Sequence, residues 1–444
     1  MVGERTGNTR YIRWIVLACL VVPMAASYFF DDMFSSLSHL FETPGILELG
    51  WNSADYGLYT SGYSVLCVFG GLVICGMLLD KWGVRVTGSV FVGMMIAGAS
   101  MVVYALTGGF SSSISLEIAY LGCMLFGLGS EIAGVAVTRS IARWFENGPM
   151  ALAMGLQLAI ARLGTAFALV FSPVLVKEKP AGEIYTLSDT AAPALFGLGF
   201  LLIGLILWLV FIIIDSRFKN VYSGENNADA FRFQDVIKLL GNKKFIMTAL
   251  LCVFFYSSIV SFKKFAGAIL IPRFDIPVET SAWMVSMLPF ATVVFAPIFG
   301  LLVDKVGKGT LWMIVGAALC LIAHLMIAFA PQGFAIYGYI SMILLGFGYS
   351  LVPAAMWPSV PRIVPVKVLG TAFALIYWVQ NLGLMTFKII AGKILASVSS
   401  ESTFVSGQSF LVLSGPVRVE LMFVGVCIVA MLLSLQLHKN CRTI

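Results

Sequence analysis

The sequence predicts an all-α membrane protein with 12 transmembrane helices, and composition, length and apolar runs each support this fold class. Of the 444 residues, 59% are hydrophobic and only 11% are charged, and the mean hydropathy is +0.96, whereas soluble globular chains carry about 25% charged residues. Each membrane-crossing helix takes roughly 20 apolar residues, so the chain has room for about a dozen. Runs such as 196–214 are continuously apolar, which indicates helices rather than the alternating strands of a membrane barrel.

Charged or Pro/Gly-rich breaks divide the chain into twelve predicted spans. The spans cover residues 12–37, 54–79, 86–107, 115–143, 149–176, 190–214, 245–271, 280–303, 310–329, 333–360, 367–395 and 417–437. The one long polar segment, residues 215–244, follows the sixth span. We therefore expect an N-terminal six-helix bundle at 1–214, a cytoplasmic linker at 215–244 and a C-terminal six-helix bundle at 245–444.

The distribution of Lys and Arg predicts the orientation, because positively charged loops stay cytoplasmic. Eighteen of the 28 Lys and Arg residues fall on the side of the N-terminus, five on the opposite side and five inside predicted spans. Both termini of this multi-pass protein are therefore expected to be cytoplasmic. The first apolar run has no small-residue cleavage site and is too long for a signal peptide, so we expect it to remain as a helix in the lipid bilayer.

Composition and spacing exclude several classes of function. The net charge of +6, from 28 basic and 22 acidic residues, is explained by cytoplasmic loops, so no nucleic-acid binding is expected. The eight Cys lack paired spacing and the three His are far apart, so we expect no metal, disulfide framework or cofactor. No cluster of nucleophile, base or metal ligands suggests an enzyme, and the short tails offer no sensor output domain. Residues 307–309 lack the Walker spacing, which disfavours ATP-driven pumping.

A short motif occurs twice, in the loops after the second and eighth predicted spans. The first copy contains Gly76, Asp80, Lys81, Gly83 and Arg85, and the second contains Gly300, Asp304, Lys305, Gly307 and Lys308. The copies are 224 residues apart, almost half the chain. A repeat at half length in the same topological position predicts two homologous six-helix halves, related by an axis along the membrane normal.

This motif resembles the G-x-L-x-D-R/K-x-G-R/K signature of the major facilitator superfamily, and the resemblance extends to the helix count, the loop sides and the half-length repeat. It implies the fold of that superfamily, with two pseudo-symmetric six-helix bundles. It also implies alternating access, in which the bundles rock about a site near the midplane and the two motif loops latch the cytoplasmic side. We expect a monomer as the transport unit, with a small-molecule substrate.

Further blocks are similar to the lysosomal dipeptide uniporters of this superfamily. They are Trp144-Phe145, Gly155–Gly164, Phe299–Lys308, Leu345–Leu351, Trp357-Pro358 and Val379–Leu384. The similarity implies uniport of dipeptides or related amino-acid compounds. The N-terminal tail has no dileucine-type sorting signal, so we expect a bacterial plasma (inner) membrane rather than a lysosome.

Two charges near the middle of predicted spans are the first candidates for substrate binding. Glu131 lies in the fourth span and Arg162 in the fifth, and each must be paired or face water, because a charge at the bilayer centre costs about 2.5–3.5 kcal/mol or more. One interpretation is that the two neutralise each other. The other is that Arg162 binds a carboxylate and Glu131 an ammonium of a zwitterion, and both positions match residues with which the resembling uniporters hold peptide.

Two charge doublets suggest a gate. Asp31 and Asp32 lie late in the first span, and Lys263 and Lys264 lie at similar depth in the seventh, its equivalent in the second half. Neighbouring helical residues point about 100° apart, so we expect one member of each doublet to pair across the halves and close the outer side. The alternative is that the lysines snorkel to the outer interface.

Residues on the tenth and eleventh spans complete the candidate set. Tyr349, Trp357, Gln380 and Asn381 are second-rank substrate contacts, because buried amides need partners and often line cavities. Lys388, like the two lysines of the seventh span, is a cation where the resembling family is uncharged. These cations favour the alternative of an organic-anion or carboxylate carrier of the same fold, and a buried Glu131, Asp31 or Asp32 would permit proton coupling.

Overall fold

The computed structural model describes residues 2–43, 45–146, 149–180, 182–218, 233–365, 368–401 and 415–441. Within these ranges the only pairing of extended backbone is an isolated bridge between Leu47 and Tyr185, and the rest of the regular structure is helical. The α-helices are α1 (Val2–Asp32), α2 (Ser53–Leu66), α3 (Leu72–Thr107), α4 (Ser112–Trp144), α5 (Met150–Leu175), α6 (Leu187–Arg217), α7 (Phe233–Leu240), α8 (Lys243–Lys264), α9 (Ala266–Phe274), α10 (Val278–Val306), α11 (Gly309–Phe329), α12 (Ala335–Met356), α13 (Val360–Ile363), α14 (Leu369–Glu401) and α15 (Gly415–Cys441). The prediction of an all-α fold is confirmed.

Eleven helices of the described chain are long and apolar enough to cross a membrane. The second predicted span is missing from these because it is broken: α2 ends at Leu66, a π-helical turn occupies Cys67–Gly71, and α3 continues from Leu72. Gly70 in this turn has a φ of +92°, which residues with a side chain rarely adopt. α3 contains the end of the second span and all of the third, with a bend at Gly83. These pieces complete the twelve predicted crossings.

Several boundaries differ from the prediction. α1 begins at Val2 and ends at Asp32, not at 12 and 37. The predicted seventh span consists of α8 and α9, which are separated at Phe265. The predicted tenth span ends in a 3-10 turn at Trp357–Ser359, because Pro358 has no N–H to continue the α-helical hydrogen bonds. Residues 219–232 of the predicted linker lie outside the described residues, and α7 occupies part of the remainder.

The repeated motif has the same backbone geometry in both copies. Gly83 and Gly307, which are 224 residues apart, have φ values of +74° and +69° and mark the ends of helical segments. Glycine suits the residue after a helix because it has no Cβ to oppose a positive φ. The equal geometry supports a structural repeat at the predicted offset.

An even number of crossings brings the start of α1 and the end of α15 to one face of the bundle, called the terminal face below. The opposite face carries the α1–α2 connection, with a 3-10 helix at Ser38–Phe41. Two helix pairs join the halves: α2 packs against α14, and α5 packs against α10. At Gly57 of α2 and Gly392 of α14 the backbones nearly touch, since a Cβ on Gly57 would lie 3.1 Å from the Cα of Gly392.

Candidate functional site

The two charge doublets meet near the opposite face, at the ends of α1 and α8. The Nζ of Lys263 lies 2.5 Å from Oδ2 of Asp32, and the Nζ of Lys264 lies 2.9 Å from Oδ1 of the same carboxylate. Lys264 also lies 2.8 Å from Oδ2 of Asp31 and donates to the main-chain oxygen of Asp31. The expected pairing across the halves is present, and both members of each doublet take part in it, because the flexible lysine stems let all four residues engage.

The four residues Asp31, Asp32, Lys263 and Lys264, called the gate cluster below, are mostly buried and joined to neighbouring helices. Lys264 and Asp32 are fully buried and Lys263 is 8% exposed, so the lysines do not snorkel, while the Asp31 side chain is 25% exposed. Asp32 also accepts a hydrogen bond from the Thr165 hydroxyl of α5 at 2.9 Å. Tyr56 of α2 donates to the main-chain oxygen of Lys264 at 3.1 Å. Separating the halves here would expose or unpair several buried charges, and the gate role of these residues stays a prediction.

The break between α8 and α9 adds backbone contacts to the gate cluster. A helix start leaves amide groups without partners inside its own helix. The Gly267 amide donates to the main-chain oxygen of Ser35 at 3.4 Å, and the Ala268 amide donates to the Ser38 hydroxyl at 3.0 Å. Hydrogen bonds between the two halves therefore replace those that the break removes.

Glu131 and Arg162 are two charged groups of opposite sign in the interior, and each is called a pole below. The Tyr63 hydroxyl of α2 donates to Oε1 of Glu131 at 3.1 Å and lies 3.2 Å from the Ser130 hydroxyl. Ser130 in turn lies 2.5 Å from the Ser27 hydroxyl of α1. A chain of hydroxyl contacts thus links the Glu131 carboxylate through Tyr63 of α2 and Ser130 to Ser27 of α1.

Arg162 forms the other pole. Its guanidinium lies 5.8 Å from the ring centre of Tyr28 and 5.2 Å from that of Tyr349. Within the described part of the chain, no ion pair joins Arg162 to Glu131 or to any other acid. The interpretation that these two charges neutralise each other by direct contact is therefore wrong.

A small cavity lies between Arg162 and the gate cluster. Its volume is about 10 Å³, roughly the space of one water molecule. Thr165, Ile259, Lys263 and Tyr349 are among its lining residues. Arg162 and Lys263 of the gate cluster therefore line the same cavity.

The second-rank residues divide into two groups. Tyr349 contacts Arg162, as described above, whereas Trp357 donates from Nε1 to the Tyr256 hydroxyl at 3.0 Å and stacks on Tyr377 at 5.0 Å. Gln380 accepts a hydrogen bond from the Cys252 thiol at 3.2 Å. Asn381 donates to the Tyr377 main chain at 3.1 Å, and its buried Oδ1 has no protein partner in the described residues.

Sequence reasoning missed the tyrosines that surround these residues. Tyr28, Tyr63, Tyr256 and Tyr377 all contact a predicted site residue. Each tyrosine lies either on a different helix from its partner or one turn away from it on the same helix. No spacing in the sequence therefore marks these tyrosines as site residues. The one available signal is a phenol within an apolar span, because a buried hydroxyl needs a hydrogen-bonding partner.

Lys388 is buried between α14 and α2. Its Nζ donates to the main-chain oxygen of Thr60 at 3.2 Å and lies 5.6 Å from the ring centre of Tyr63. Only 2% of this lysine is exposed. In the described part of the chain it has no ion pair, in contrast to Lys263 and Lys264.

The two motif copies have different surroundings at the terminal face. Arg85 lies 2.6 Å from the Asp215 carboxylate of α6, which also contacts Arg143 and accepts from Trp144 Nε1 at 2.8 Å. Lys81 is exposed, and the side chains of Gly76 and Asp80 lie outside the described residues. In the second copy, Asp304, Lys305 and Lys308 are exposed and make no side-chain hydrogen bond or ion pair within the described ranges. The latch role of these residues stays a prediction.

Twelve crossings, a pseudo-symmetric turn and unpaired charges between two helical halves together define a membrane transporter rather than an enzyme. The chain belongs to the Major Facilitator Superfamily, whose model matches residues 20–385 and again 265–435. The prediction of this family and of its fold is confirmed.

Relatives and solved structures agree with this membership. The lysosomal dipeptide transporter MFSD1 of Mus musculus is 31% identical over 400 residues, which cover 87% of this chain and 80% of that protein. MFSD1 of Danio rerio is 30% identical over 86% of this chain and 80% of its own. The nucleoside transporter NupG has a TM-score of 0.68 at 14% identity, covering 95% of this chain and 99% of its own. The D-xylose-proton symporter has a TM-score of 0.69 at 13% identity, with 96% of each chain covered.

Proposed function

We propose that this transporter carries dipeptides or related amino-acid zwitterions by alternating access. The observation behind the proposal is the arrangement of Glu131 and Arg162, two opposite charges inside the bundle that do not pair with each other. Charges in a low-dielectric interior are stabilised by partners. A dipeptide supplies an ammonium group for one and a carboxylate for the other. The relatives named dipeptide transporters support the same class of substrate.

In the proposed mechanism, each pole recognises one end of the peptide backbone. Arg162 donates a fork of hydrogen bonds to the terminal carboxylate, and the rings of Tyr28 and Tyr349 hold the guanidinium in place. Glu131, oriented by the Tyr63 hydroxyl, accepts from the terminal ammonium. Trp357, Gln380 and Asn381 contribute contacts from the second half, so that substrate binding bridges the two bundles.

We also propose the sidedness and the coupling. Both termini face the cytoplasm, which makes the opposite face extracytoplasmic, and residues 1–214 and 245–444 move as two bundles joined by the linker. The gate cluster of Asp31, Asp32, Lys263 and Lys264 opens and closes the outer side, the motif loops latch the inner side, and transport is uniport by a monomer. The bacterial plasma membrane remains a sequence prediction without support from the relatives, which are named lysosomal transporters.

The proposal is tested in proteoliposomes with Ala-Ala and two blocked analogues. N-acetyl-Ala-Ala lacks the ammonium group, and Ala-Ala-amide lacks the carboxylate. We expect Arg162→Gln to lower uptake of Ala-Ala by about tenfold or more, because a charge-assisted hydrogen bond is lost. Glu131→Gln should have a comparable effect. Arg162→Gln should lower the uptake of Ala-Ala-amide, which has no carboxylate, less than it lowers the uptake of Ala-Ala. Glu131→Gln should likewise affect N-acetyl-Ala-Ala, which has no ammonium group, less than Ala-Ala.

Two results would overturn the proposal. One is a wild-type protein that takes up no di- or tripeptide at all. The other is a pair of variants whose losses are the same for Ala-Ala and for both blocked analogues. A further measurement concerns the coupling: an imposed pH gradient should not drive accumulation if transport is uniport.

The alternative of an organic-anion carrier is favoured by one observation, the cation of Lys388 without a carboxylate partner. It predicts thermal stabilisation by mono- and dicarboxylates that lack an amino group. Loss of that stabilisation in Lys388→Met, with no response to Ala-Ala, would favour this alternative over the dipeptide proposal.

A further inference from the structure

Lys388 differs from the other buried lysines in lacking an acidic partner. Lys263 and Lys264 contact Asp31 and Asp32, whereas Lys388 contacts one carbonyl oxygen and one aromatic ring in the described part of the chain. A carbonyl and a ring offset only part of the cost of removing an ammonium from water. The interior therefore contains a cation whose favourable partner, an anion, is not supplied by the described residues.

The two halves place this cation in a position related to Arg162. Arg162 lies on α5, the fifth crossing of the first half, and Lys388 lies on α14, the fifth crossing of the second half. Their separation of 226 residues is two more than the 224-residue offset of the repeated motif. A shift of two residues turns a helical side chain by about 200°, so the two cations share a crossing but have different neighbours: Tyr28 and Tyr349 for Arg162, and Tyr63 for Lys388.

The contacts of Tyr63 show which end of a peptide lies near Lys388. The Tyr63 hydroxyl donates to Glu131 at 3.1 Å, and the face of the same ring lies 5.6 Å from the Lys388 ammonium. Lys388 is thus one aromatic side chain away from the proposed ammonium-binding pole. Arg162 contacts a different pair of rings, Tyr28 and Tyr349. An anion on Lys388 would therefore belong to the residue that carries the free amino group.

We infer that Lys388 is a specificity residue that selects peptides with an acidic side chain at their N-terminal position. In such a peptide the amino group and the side-chain carboxylate belong to one residue, which matches the neighbouring positions of Glu131 and Lys388. The C-terminal carboxylate binds Arg162 as before. This inference rests on the proposed function and adds an order of affinity. Glu-Ala binds more tightly than Ala-Glu, and Ala-Glu binds with about the affinity of Ala-Ala.

The test is competition for Ala-Ala uptake by the two isomers Glu-Ala and Ala-Glu, which have the same composition and net charge. In the wild-type protein we expect Glu-Ala to compete at about tenfold lower concentration than Ala-Glu, as one buried charge-assisted contact would give. Lys388→Met should remove that difference, so that the two isomers compete at equal concentrations. Lys388→Arg should keep the difference. Lys393→Met is the matched control, because Lys393 is an exposed lysine of the same helix.

The outcomes separate this inference from the proposed function. Equal competition by both isomers in the wild type, with Ala-Ala still transported, would overturn the inference alone and needs no variant that must fold. A loss in Lys388→Met that is equal for all three peptides would also overturn it, since Lys388 would then only balance the charge of Glu131. A wild-type protein that transports none of the three would overturn both.

Discussion

The two halves of this transporter share a backbone plan but contribute charges of opposite sign to the ion pairs between them. Asp31 and Asp32 lie in the first half, whereas their partners Lys263 and Lys264 lie in the second. The turn at Gly83 and Gly307 is the same in both. The difference teaches that the repeat supplies the scaffold, while attraction between the halves comes from positions at which the repeats have diverged.

The terminal face shows a second inequality. In the first half, α3, α4 and α6 meet at Asp215, which binds two arginines and a tryptophan N–H. In the described part of the second half, the Thr310 hydroxyl of α11 lies 2.7 Å from Nδ1 of His438 of α15. The first half is therefore fastened by ion pairs at this face, and the described residues of the second half by a hydroxyl–imidazole hydrogen bond.

The largest effect is expected from breaking the charge division at the gate. Asp32→Asn leaves Lys263 and Lys264 with less negative charge, and removing one partner of a buried pair costs about 3–5 kcal/mol. The opposite face should open more often. We expect the reactivity of an Ile259→Cys reporter, in a background without native cysteines, to rise more than tenfold toward an impermeant thiol reagent added on that face.

The control for the gate is Glu117→Gln, which removes an exposed acid of α4 outside the gate and the motif loops. It should leave the reporter unchanged. If Asp32→Asn and Glu117→Gln gave the same reactivity, the gate cluster would not be what closes this face.

The next effect concerns a buried pair that only the second half contains. His324 of α11 and Glu420 of α15 are fully buried, with Nδ1 and Oε2 2.8 Å apart. Glu420→Leu should lower the free energy of unfolding by up to about 3 kcal/mol, because the buried Nδ1 of His324 loses its hydrogen-bond partner. The double variant His324→Leu with Glu420→Leu should be more stable than the single one. Thermal unfolding in detergent measures both, and a double variant that is less stable than Glu420→Leu would contradict the expectation.

A smaller effect should separate the terminal ends of the halves. Asp215→Asn leaves Arg85 and Arg143 unpaired, but both arginines are partly exposed, so we expect a loss of about 1–3 kcal/mol. Thr310→Val removes one neutral hydrogen bond and should cost about 1 kcal/mol or less. The unfolding midpoints of the two variants, compared with wild type, show which variant loses more stability. If Thr310→Val lost as much stability as Asp215→Asn, or more, the proposed difference between the two halves at the terminal face would be wrong.

The last prediction is a pH dependence in the α1–α2 connection of the first half. Burial raises the pKa of Glu42 from its ordinary value to about 8. The folded protein thus keeps a proton that the unfolded chain has lost, and stability falls as pH rises from about 4.5 to about 8. Glu42→Gln should flatten this part of the curve of unfolding midpoint against pH. An unchanged slope would contradict the expected burial.

Hydropathy and the repeated motif were sufficient to predict the fold, because apolar length and half-chain repetition are properties of single segments. Breaks inside spans were harder to predict. The predicted second span runs through Gly70-Gly71 without a break, whereas the structure has a positive φ at Gly70 and a π-helical turn. Phe265, where α8 ends, has no breaker residue beside it, and hydrogen bonds to Ser35 and Ser38 of the other half stabilise that break.

For the site, equal depth and opposite sign predicted that the aspartate and lysine doublets meet. The ion pair between Arg85 and Asp215 was not predicted, because Asp215 lies 130 residues away at the end of another helix. The tyrosine partners of Arg162 and Glu131 depend on which helix faces which. That information comes from packing, and no single segment of sequence contains it.

The broken second crossing has a consequence for substitution tolerance. Phe69 is 77% exposed, and burial alone would rank it and its neighbour among the most permissive positions of a mutational scan. Gly70 should nevertheless reject every other residue, since its φ of +92° disfavours any side chain even though the nearest side-chain atom to an added Cβ is 3.9 Å away. These two adjacent positions should therefore differ sharply in their tolerance of substitution. Variants at Phe69 should be recovered from the mutational scan, and variants at Gly70 should be missing from it.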